Sequence, residues 1–597
     1  MTIQYLNGEN LYLSFVSGAR EVIRNRKFLN DINVFPVADG DTGSNLASTM
    51  TSIIQESRAL TSARNTMNLI ADAALTGARG NSGIIIAQYI NGISMSFEDD
   101  EDITIPAFAE SVQNAVPHAY GAISNPVEGT IITVIREWAE AVYSQKDIAK
   151  NFQELLGQPL NTAYKSLKET TYKLKVLEES NVVDSGAKGF VHFIQGFTDF
   201  MRIGKTHDLV EEDIDEIVFS EYPRHNESKI DHRYCTEALI TNKDIDLKAI
   251  KEQLGKLGDS LIVAGNKSKA RIHIHTNNPH EVFTVLREKG TILQQKADDM
   301  KRQYEAAYAR KYNIALVTDS IADVPKEILD RFQVHVVPLN LEMESTSYLD
   351  NVTITPEIFY GLIDELEEYP TSAQPSPKVI DNLYESLVEN YDEILVITVA
   401  KEQSGTHNVF KKAAEKFIKQ GKKIEVIDSR QNSGAEGLLV MKAAELIHEG
   451  VSLNSIIKQI EELRGQTKIL VSVNTLKYMV KSGRIGKLTG FAGKIMNLKP
   501  VVSLDENGKG KIEDKAFSLK TNTKKIMNIV KESHLQNKIT RYAIVHANDP
   551  NRAEEYRKMC VQILDSEPEY IMNISTIVGM SAGVGSVAVA YMCEKGD

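Results

Sequence analysis

The sequence predicts a multidomain protein with an all-α first domain, a small α/β middle domain and a two-lobed α/β last half. Three observations predict it. Apolar residues recur at helical spacing through the first 200 residues, where strand-like alternation is scarce. From Lys311 onward, short β-branched runs alternate with helical stretches. A chain of 597 residues also exceeds what one hydrophobic core can organise. The implied boundaries are 1–205, 206–310 and 311–597.

Composition narrows the function classes. Hydrophobic residues at 42% and charged residues at 25% describe an ordinary globular chain. A formal net charge of −13 argues against nucleic acid as a general partner, which needs a basic face. Cys235, Cys560 and Cys593 lie far apart with no CxxC pair, which suits a reducing cytoplasm. No signal peptide is evident and no apolar run reaches the length of a membrane span. A cytoplasmic protein that does not span a membrane is expected.

In the first domain, Leu11, Phe15, Ala19, Val22 and Ile23 mark one face of a helix running from Gly8 to Phe28. Pro36 stops it, and the stretch Asn33-Val-Phe-Pro-Val-Ala-Asp-Gly-Asp-Thr-Gly-Ser-Asn45 reads as an ordered loop. Its carboxylates, Asp39 and Asp41, can both point at one hard cation, and Mg²⁺ takes a few carboxylates plus phosphate oxygens. An Asx-rich turn is the plainer alternative. Helices are predicted over Leu46–Leu60 and Ala63–Leu75. Three glycine clusters interrupt the helices: Thr76-Gly-Ala-Arg-Gly-Asn-Ser-Gly83, Asn125-Pro-Val-Glu-Gly-Thr130 and Asp184-Ser-Gly-Ala-Lys-Gly189. Most such clusters cap and pack helices. The functional alternative is that Gly80-Asn81-Ser82-Gly83 opens a helix over Ile84–Ile93 and offers its free N–H groups to a phosphate. Gly77, Arg79, Gly129, Thr130, Asp184 and Gly186 belong to the same nucleotide-binding candidate set. No GxxxxGK[ST] occurs, so this is not a P-loop.

Asp208–Tyr222 is acidic and reads as a linker. Beyond it, Tyr234-Cys-Thr-Glu237 and Ala270-Arg-Ile-His-Ile-His-Thr276 read as strands, with His273 and His275 on one face. With Cys235 they could form a zinc site. Without short-range ligand spacing, a half-buried polar strand face is the better reading of the residues alone.

In the last half, Ile314–Val317, Val334–Leu339, Ile394–Val399 and Ile424–Ile427 read as strands of a parallel sheet. The polar loops Thr318-Asp-Ser320, Ser404-Gly-Thr-His407 and Asp428-Ser429 then fall at its ligand-binding carboxyl ends. A second lobe runs from Val451 to the end. Ser404-Gly405-Thr406 could be an ordinary helix start, and Arg484 a surface charge in a glycine turn. If these loops converge, hydroxyls and one arginine make a carboxylate pocket.

The loop at Asn33–Asn45, Gly77-Ala-Arg-Gly-Asn-Ser-Gly83 and Asp184-Ser-Gly-Ala-Lys-Gly-Phe190 resemble the nucleotide domain of bacterial fatty acid kinase. That domain is similar to the DhaL-type ATP-binding subunit of dihydroxyacetone kinase, an all-α barrel. The resemblance implies ATP held through Mg²⁺ on Asp39 and Asp41, with Asn33 assisting at the metal. Thr42, Gly43, Ser44 and Asn45 would lie near the phosphates, and Arg79, Asn81 and Ser82 would line the nucleotide. Tyr-Cys-Thr-Glu and His-Ile-His-Thr-Asn-Asn-Pro resemble the middle domain of fatty acid kinase, which raises a structural Zn²⁺ at Cys235, His273 and His275. Val317-Thr-Asp-Ser-Ile-Ala-Asp-Val-Pro325, Thr371-Ser-Ala-Gln-Pro-Ser-Pro377, Gln403-Ser-Gly-Thr-His407, Lys481-Ser-Gly-Arg-Ile485 and Leu498-Lys-Pro500 are similar to the DegV family of fatty-acid-binding proteins. That resemblance puts an acyl head group near Thr371, Ser372, Ser404, Gly405 and Thr406, with Arg484 in the supporting lipid-binding network and also a catalytic candidate beside Asp39 and Asp41. Two departures stand out. Ala400 and Lys401 replace a usual serine pair, and Ser581-Ala-Gly-Val-Gly585 replaces a usual His-x-Gly-Pro-Gly.

Together the resemblances imply a fused fatty acid kinase making acyl phosphate for phospholipid synthesis. An acyltransferase would consume the product, and a homodimer is expected. The alternatives are a lipid-binding regulator that senses ATP and a kinase of dihydroxyacetone type.

Overall fold

Helical periodicity and strand alternation both survive into the computed structural model. It describes residues 3–35, 40–97, 102–203, 231–483 and 498–593, in two units, Met1–Lys301 and Arg302–Asp597. Residues 3–203 form α1 (Gly8–Arg24), α2 (Arg26–Asp31), α3 (Thr42–Glu56), α4 (Ala63–Gly77), α5 (Gly80–Met95), α6 (Ile105–Asn114), α7 (Val116–Ala122), α8 (Ile131–Ser144), α9 (Phe152–Lys173), α10 (Lys175–Ser180) and α11 (Ser185–Ile203). On α1 the face Leu11, Phe15, Ala19 and Val22 is buried, and Phe15 meets Phe193 and Phe197 edge-on at 5.5 Å. The single helix expected to Phe28 breaks at Asn25, whose amide donates back to the Glu21 carbonyl. Asn often does this, because its side chain competes with the helical ladder.

Two helices begin four residues earlier than the apolar pattern suggests. Thr42–Asn45 and Gly80–Gly83 are first turns of α3 and α5, not loops ahead of them. Small polar residues suit first turns, where backbone N–H groups have no helical partner.

The middle segment is an antiparallel sheet, β2-β3-β1-β4, of β1 (Tyr234–Thr241), β2 (Asp259–Gly265), β3 (Lys269–Thr276) and β4 (Thr291–Asp299). Cys235 stands opposite His275 and Asp298, and Glu237 opposite His273 and Lys296. Leu239 stands opposite Arg271 and Gln294. Alternate residues share a face, so one face of the sheet carries nearly all of its charge. Ile262 and Ala264 of β2 enter the helical core, and the Gly265 N–H donates to Gln88 Oε1 at 2.8 Å. Sheet and helices are therefore packed as one unit.

The second unit begins with β5 (Ile314–Asp319), β6 (His335–Val337), β7 (Asn340–Met343), β8 (Thr346–Leu349), β9 (Thr371–Ala373), β10 (Glu393–Thr398) and β11 (Lys423–Asp428). The order β11-β10-β5-β6 is a parallel sheet, as the buried β-branched runs predict, and β8-β7-β9 is a small antiparallel one. Next come β12 (Thr467–Ser472), β13 (Val501–Leu504), β14 (Gly510–Asp514), β15 (Ile539–His546), β16 (Ile571–Asn573) and β17 (Val587–Cys593), in the order β14-β13-β12-β17-β15-β16. The mostly buried helix Ser433–His448 touches β5 on one side and β12, β15 and β17 on the other.

Four fully buried carboxyls sit around that seam. Asp319 accepts from the Ile321 and Val399 N–H groups, tying the end of β5 to that of β10. Asp323 accepts from the Ser433 hydroxyl and the Ser575 N–H, and Asp350 from Ser320 and from both donors of Thr576. Glu436 is buried with no hydrogen bond to either carboxyl oxygen. Burial pushes Asp319 up to about 7, Asp323 to about 8 and Asp350 to about 6. It pushes Glu436 well above its ordinary value, with the Asp319, Asp323 and Asp428 charges adding to the effect.

These folded values lie above the unfolded ones, so the native state keeps protons that the unfolded chain sheds above about pH 4. The contribution of these carboxyls to stability is greatest in mild acid and falls by about 1.4 kcal/mol per pH unit for each group until its folded pKa is passed. Glu436→Gln should remove one of these slopes. Hydrogen exchange of the β5 and β10 amides, measured between about pH 5 and about pH 8, should show the variant more protected than wild type at the alkaline end and similar at the acid end. Parallel profiles would refute a buried, protonated Glu436.

Candidate functional site

Four helix N-termini meet at one end of the helical domain. Asp41 is the N-cap residue of α3, and the Asn45 N–H donates to its carbonyl at 2.8 Å. Asn45 packs on Gly80 at the start of α5, where φ is +56°, a left-handed value that favours glycine. A Cβ there would collide with the Asn45 side chain. Ser82 of α5 packs on Gly186 of α11, which is bare for the same reason. Asp184 caps α11 by accepting from the Ala187 N–H at 2.7 Å, and it also accepts from the Ile131 N–H at the start of α8. Burial raises its carboxyl to about 6. The starts of α3, α5, α8 and α11 are thereby stitched together, with Gly129 and Thr130 just ahead of α8. Asn81 Oδ1 is buried here without a hydrogen-bond partner, an orphan acceptor that a bound ligand would satisfy.

Several expected ligands have other duties. Ser44 is held by Asn30, which accepts from its N–H and donates to its hydroxyl, both at 3.0 Å. Gly43 lets α3 approach the Arg26 carbonyl, and Gly77 lets α4 approach Ser52. These two act in packing. The free phosphate-binding N–H expected at Gly80 is already taken, because it donates to Glu237 Oε1 at 2.6 Å. Asn33 is buried at the start of the loop, whereas Asp39 falls outside the described residues, as does the expected linker Asp208–Tyr222.

Glu237 comes from the charged face of the middle sheet. Its Oε2 lies 3.1 Å from both Arg79 and Arg271, and its Oε1 lies 3.5 Å from His273 Nδ1. Burial alone would raise its carboxyl, but the His273 hydrogen bond and the Arg271 and Lys296 charges outweigh it and hold the group well below the usual range. On the same face, the donor atoms of Cys235, His273 and His275 all lie within 4.8 Å of one another. His273 Nε2 is buried without a hydrogen-bond partner. Burial pushes the His275 imidazole down to about 3 and the Cys235 thiol well up, so both are neutral. A soft–borderline donor set, closely spaced and with an orphan ring nitrogen, fits a zinc ion. Here the geometry favours the metal reading that spacing alone did not.

In the second unit a cavity lies between the two large sheets, enclosing about 980 Å³ with its open mouth included. Ile321 and Val399 line one side and Ile469, Val502 and Val587 the other, so the wall is mainly apolar. Ser372 and Ser404 reach it, as expected. Thr371 does not. It precedes Ser372 on β9, and alternation along the strand leaves it exposed. Gly405 packs beneath Gln374, and Thr406 is fully buried with its N–H and hydroxyl on Ser404. Gly405 and Thr406 therefore position Ser404 and do not line the cavity. Arg484 falls outside the described residues. Lys401 is half exposed and 3.8 Å from Asp428, away from a head-group role. The polar lining that sequence reasoning missed includes Gln403, Asn432, Ser433, Ser503 and Ser586; Asn432 donates to Gln403 at 2.9 Å. Ser581 also lines the cavity, from the segment that departs from the DegV pattern.

Three family models match successive stretches of the chain. The DAK2 domain covers residues 36–199, the middle domain of fatty acid kinase type covers 231–307, and the uncharacterised DegV family covers 313–594. The chain therefore carries a DAK2 domain, a fatty acid kinase-like middle domain and a DegV domain in one polypeptide. Among curated proteins it is similar to an uncharacterized protein of Staphylococcus epidermidis, 32% identical over 346 residues, 54% of this chain and 62% of the relative. An uncharacterized protein of Staphylococcus aureus (strain USA300) is 33% identical over 324 residues, 52% of this chain and 59% of the relative. The matches thus span about three fifths of these relatives. Solved structures similar to the last half include a fatty-acid-binding DegV family protein from Thermus thermophilus, at 28% identity, 47% of this chain, 100% of that chain and a TM-score of 0.44. DegV, a fatty acid binding protein from Bacillus subtilis, matches at 26% identity, 48% of this chain, 100% of that chain and a TM-score of 0.44. No helix among the described residues is long and apolar enough to cross a membrane.

The Glu237 cluster yields a direct test. Glu237→Gln leaves Arg271, which is fully buried, without its counter-charge. Removing one partner of a buried ion pair typically costs about 3–5 kcal/mol. Tryptophan fluorescence of the single tryptophan, Trp138 in α8, should report unfolding of this unit at clearly lower denaturant. An unchanged midpoint would show that the arginines find other partners.

Proposed function

We propose that the chain is an ATP-dependent kinase that phosphorylates a fatty acid bound by its own DegV domain, releasing acyl phosphate and ADP. The observation that carries this reading is the presence in one chain of two complementary sites. One is a cluster of helix N-termini beside Asp41; the other is an apolar cavity with Ser372 and Ser404 on its wall. Helix N-termini favour phosphate, and an apolar cavity with few polar groups favours an acyl chain. A carboxylate oxygen is already nucleophilic, so the reaction needs positioning and charge neutralisation more than a base.

In this reading Asp41, with Asp39, would hold the Mg²⁺ that accompanies ATP, and Asn33 lies close by in sequence. Thr42, Asn45, Asn81 and Ser82 would face the nucleotide. Cys235, His273 and His275 would hold Zn²⁺, which would cross-link β1 to β3 beside the nucleotide site. Ser372 and Ser404 would receive the acid head group.

One observation favours a second reading, in which nucleotide is sensed and not consumed: the Gly80 N–H is already occupied by Glu237. Incubation with Mg-ATP and oleate, followed by hydroxylamine, separates the two. Acyl hydroxamate should form with wild type and fall at least about a hundredfold in Asp41→Ala, the scale expected for losing an electrostatic contact in the transition state. No hydroxamate above that variant would overturn the kinase reading. A bound fatty acid, found by mass spectrometry of the purified protein, would then leave the sensor. Metal analysis should find about one zinc per chain, reduced by Cys235→Ser; a metal-free protein with wild-type stability would rule the zinc site out.

A further inference from the structure

A nucleotide clamp must neutralise more charge than Mg²⁺ alone supplies, and phosphoryl-transfer sites add a cationic side chain at the terminal phosphate. The helical loops offer little. Arg79 is paired with Glu237 at 3.1 Å, and Lys188 faces Glu21 and His192 on the flank of α11. The middle sheet offers a cation at the right place. Lys296 stands on β4 directly across from Glu237, and Glu237 Oε1 is 2.6 Å from the N–H that begins α5. Lys296 is thus one strand spacing from a group that touches the helix end.

Its surroundings point the same way. Lys296 pairs with Asp298, two residues along the same face, and about a third of its side chain, 32%, is exposed. Asp41, the clamp carboxylate, is near enough to act on the charge of Lys296 as well as on the Cys235 thiol. The ammonium therefore lies among Asp41, Glu237 and Asp298, three carboxylates from both domains. A terminal phosphate arriving beside Asp41 would join that anionic ring around one cation.

We propose that Lys296 is a catalytic residue supplied by the middle domain, contacting the terminal phosphoryl group of a nucleoside triphosphate held at the helical clamp. This rests on the nucleotide reading of the clamp given above. It makes the middle sheet a wall of the phosphoryl-transfer site.

The test compares Mg-ATP and Mg-ADP binding to the full chain by calorimetry, in wild type, Lys296→Met, Lys296→Arg and Asp298→Asn. Loss of a charge-assisted contact to the terminal phosphate should weaken ATP at least about tenfold in Lys296→Met and change ADP less than about twofold. Lys296→Arg should retain most of the preference for ATP, and Asp298→Asn, which breaks the pair but keeps the cation, should retain it too. The inference is overturned if ATP and ADP weaken equally in Lys296→Met, if neither changes, or if Asp298→Asn reproduces the loss. A wild-type chain that binds no nucleotide would instead overturn the nucleotide reading itself, and the inference with it.

Discussion

A single buried carboxylate holds the first unit's working parts in register. Glu237 accepts from the backbone at the start of α5 and pairs with one arginine from each domain, Arg79 and Arg271. A helix N-terminus carries a partial positive charge, so an anion there is stabilised twice, by the dipole and by a direct N–H bond. The cost of burying the charge is met because every formal charge in the cluster has an opposite beside it. Moving Glu237 would therefore move α5, Arg79 and the histidine face of β3 together. The domain that looks accessory in sequence sets the geometry of the helix end that looks central.

The second unit uses buried acids differently. Asp319, Asp323 and Asp350 hold backbone and hydroxyl donors, and none of the three lines the cavity. Asp323 and Asp350 both receive the N-terminus of the helix Thr576–Ala582, whose residues Ile577 and Val578 do line it. Conspicuous polar motifs such as Thr318-Asp-Ser320 thus act one layer behind the cavity, shaping it through the backbone.

What sequence could reveal follows from range. Period alone locates α1 and the strands β5, β10 and β11, because burial of one face or of a whole strand leaves a local pattern. Cys235, His273 and His275 were legible as candidates because alternation put the two histidines on one face. Their meeting with Cys235 was not, because it depends on the pairing of β1 with β3. Glu237, Arg271 and Lys296 gave no warning: charged residues alternating along a strand look like a solvated face until something covers it. Thr371 and Ser372 illustrate a finer limit. In a three-residue strand no periodicity distinguishes the inward hydroxyl from the outward one. The starts of α3 and α5 are not legible in sequence, because apolar periodicity begins only after the polar first turn.

The placement of Ile262 and Ala264 within the core of the helical domain has a practical consequence for anyone dividing this protein into parts. Modules that can be recognised separately in sequence share an interior here. A truncation after α11 would open that interior to water and strand Gln88 and Asn91 without their β2 partners. The smallest piece to behave as an autonomous folding entity is the pair of modules, so evolutionary shuffling of the first unit should move them as a single cassette.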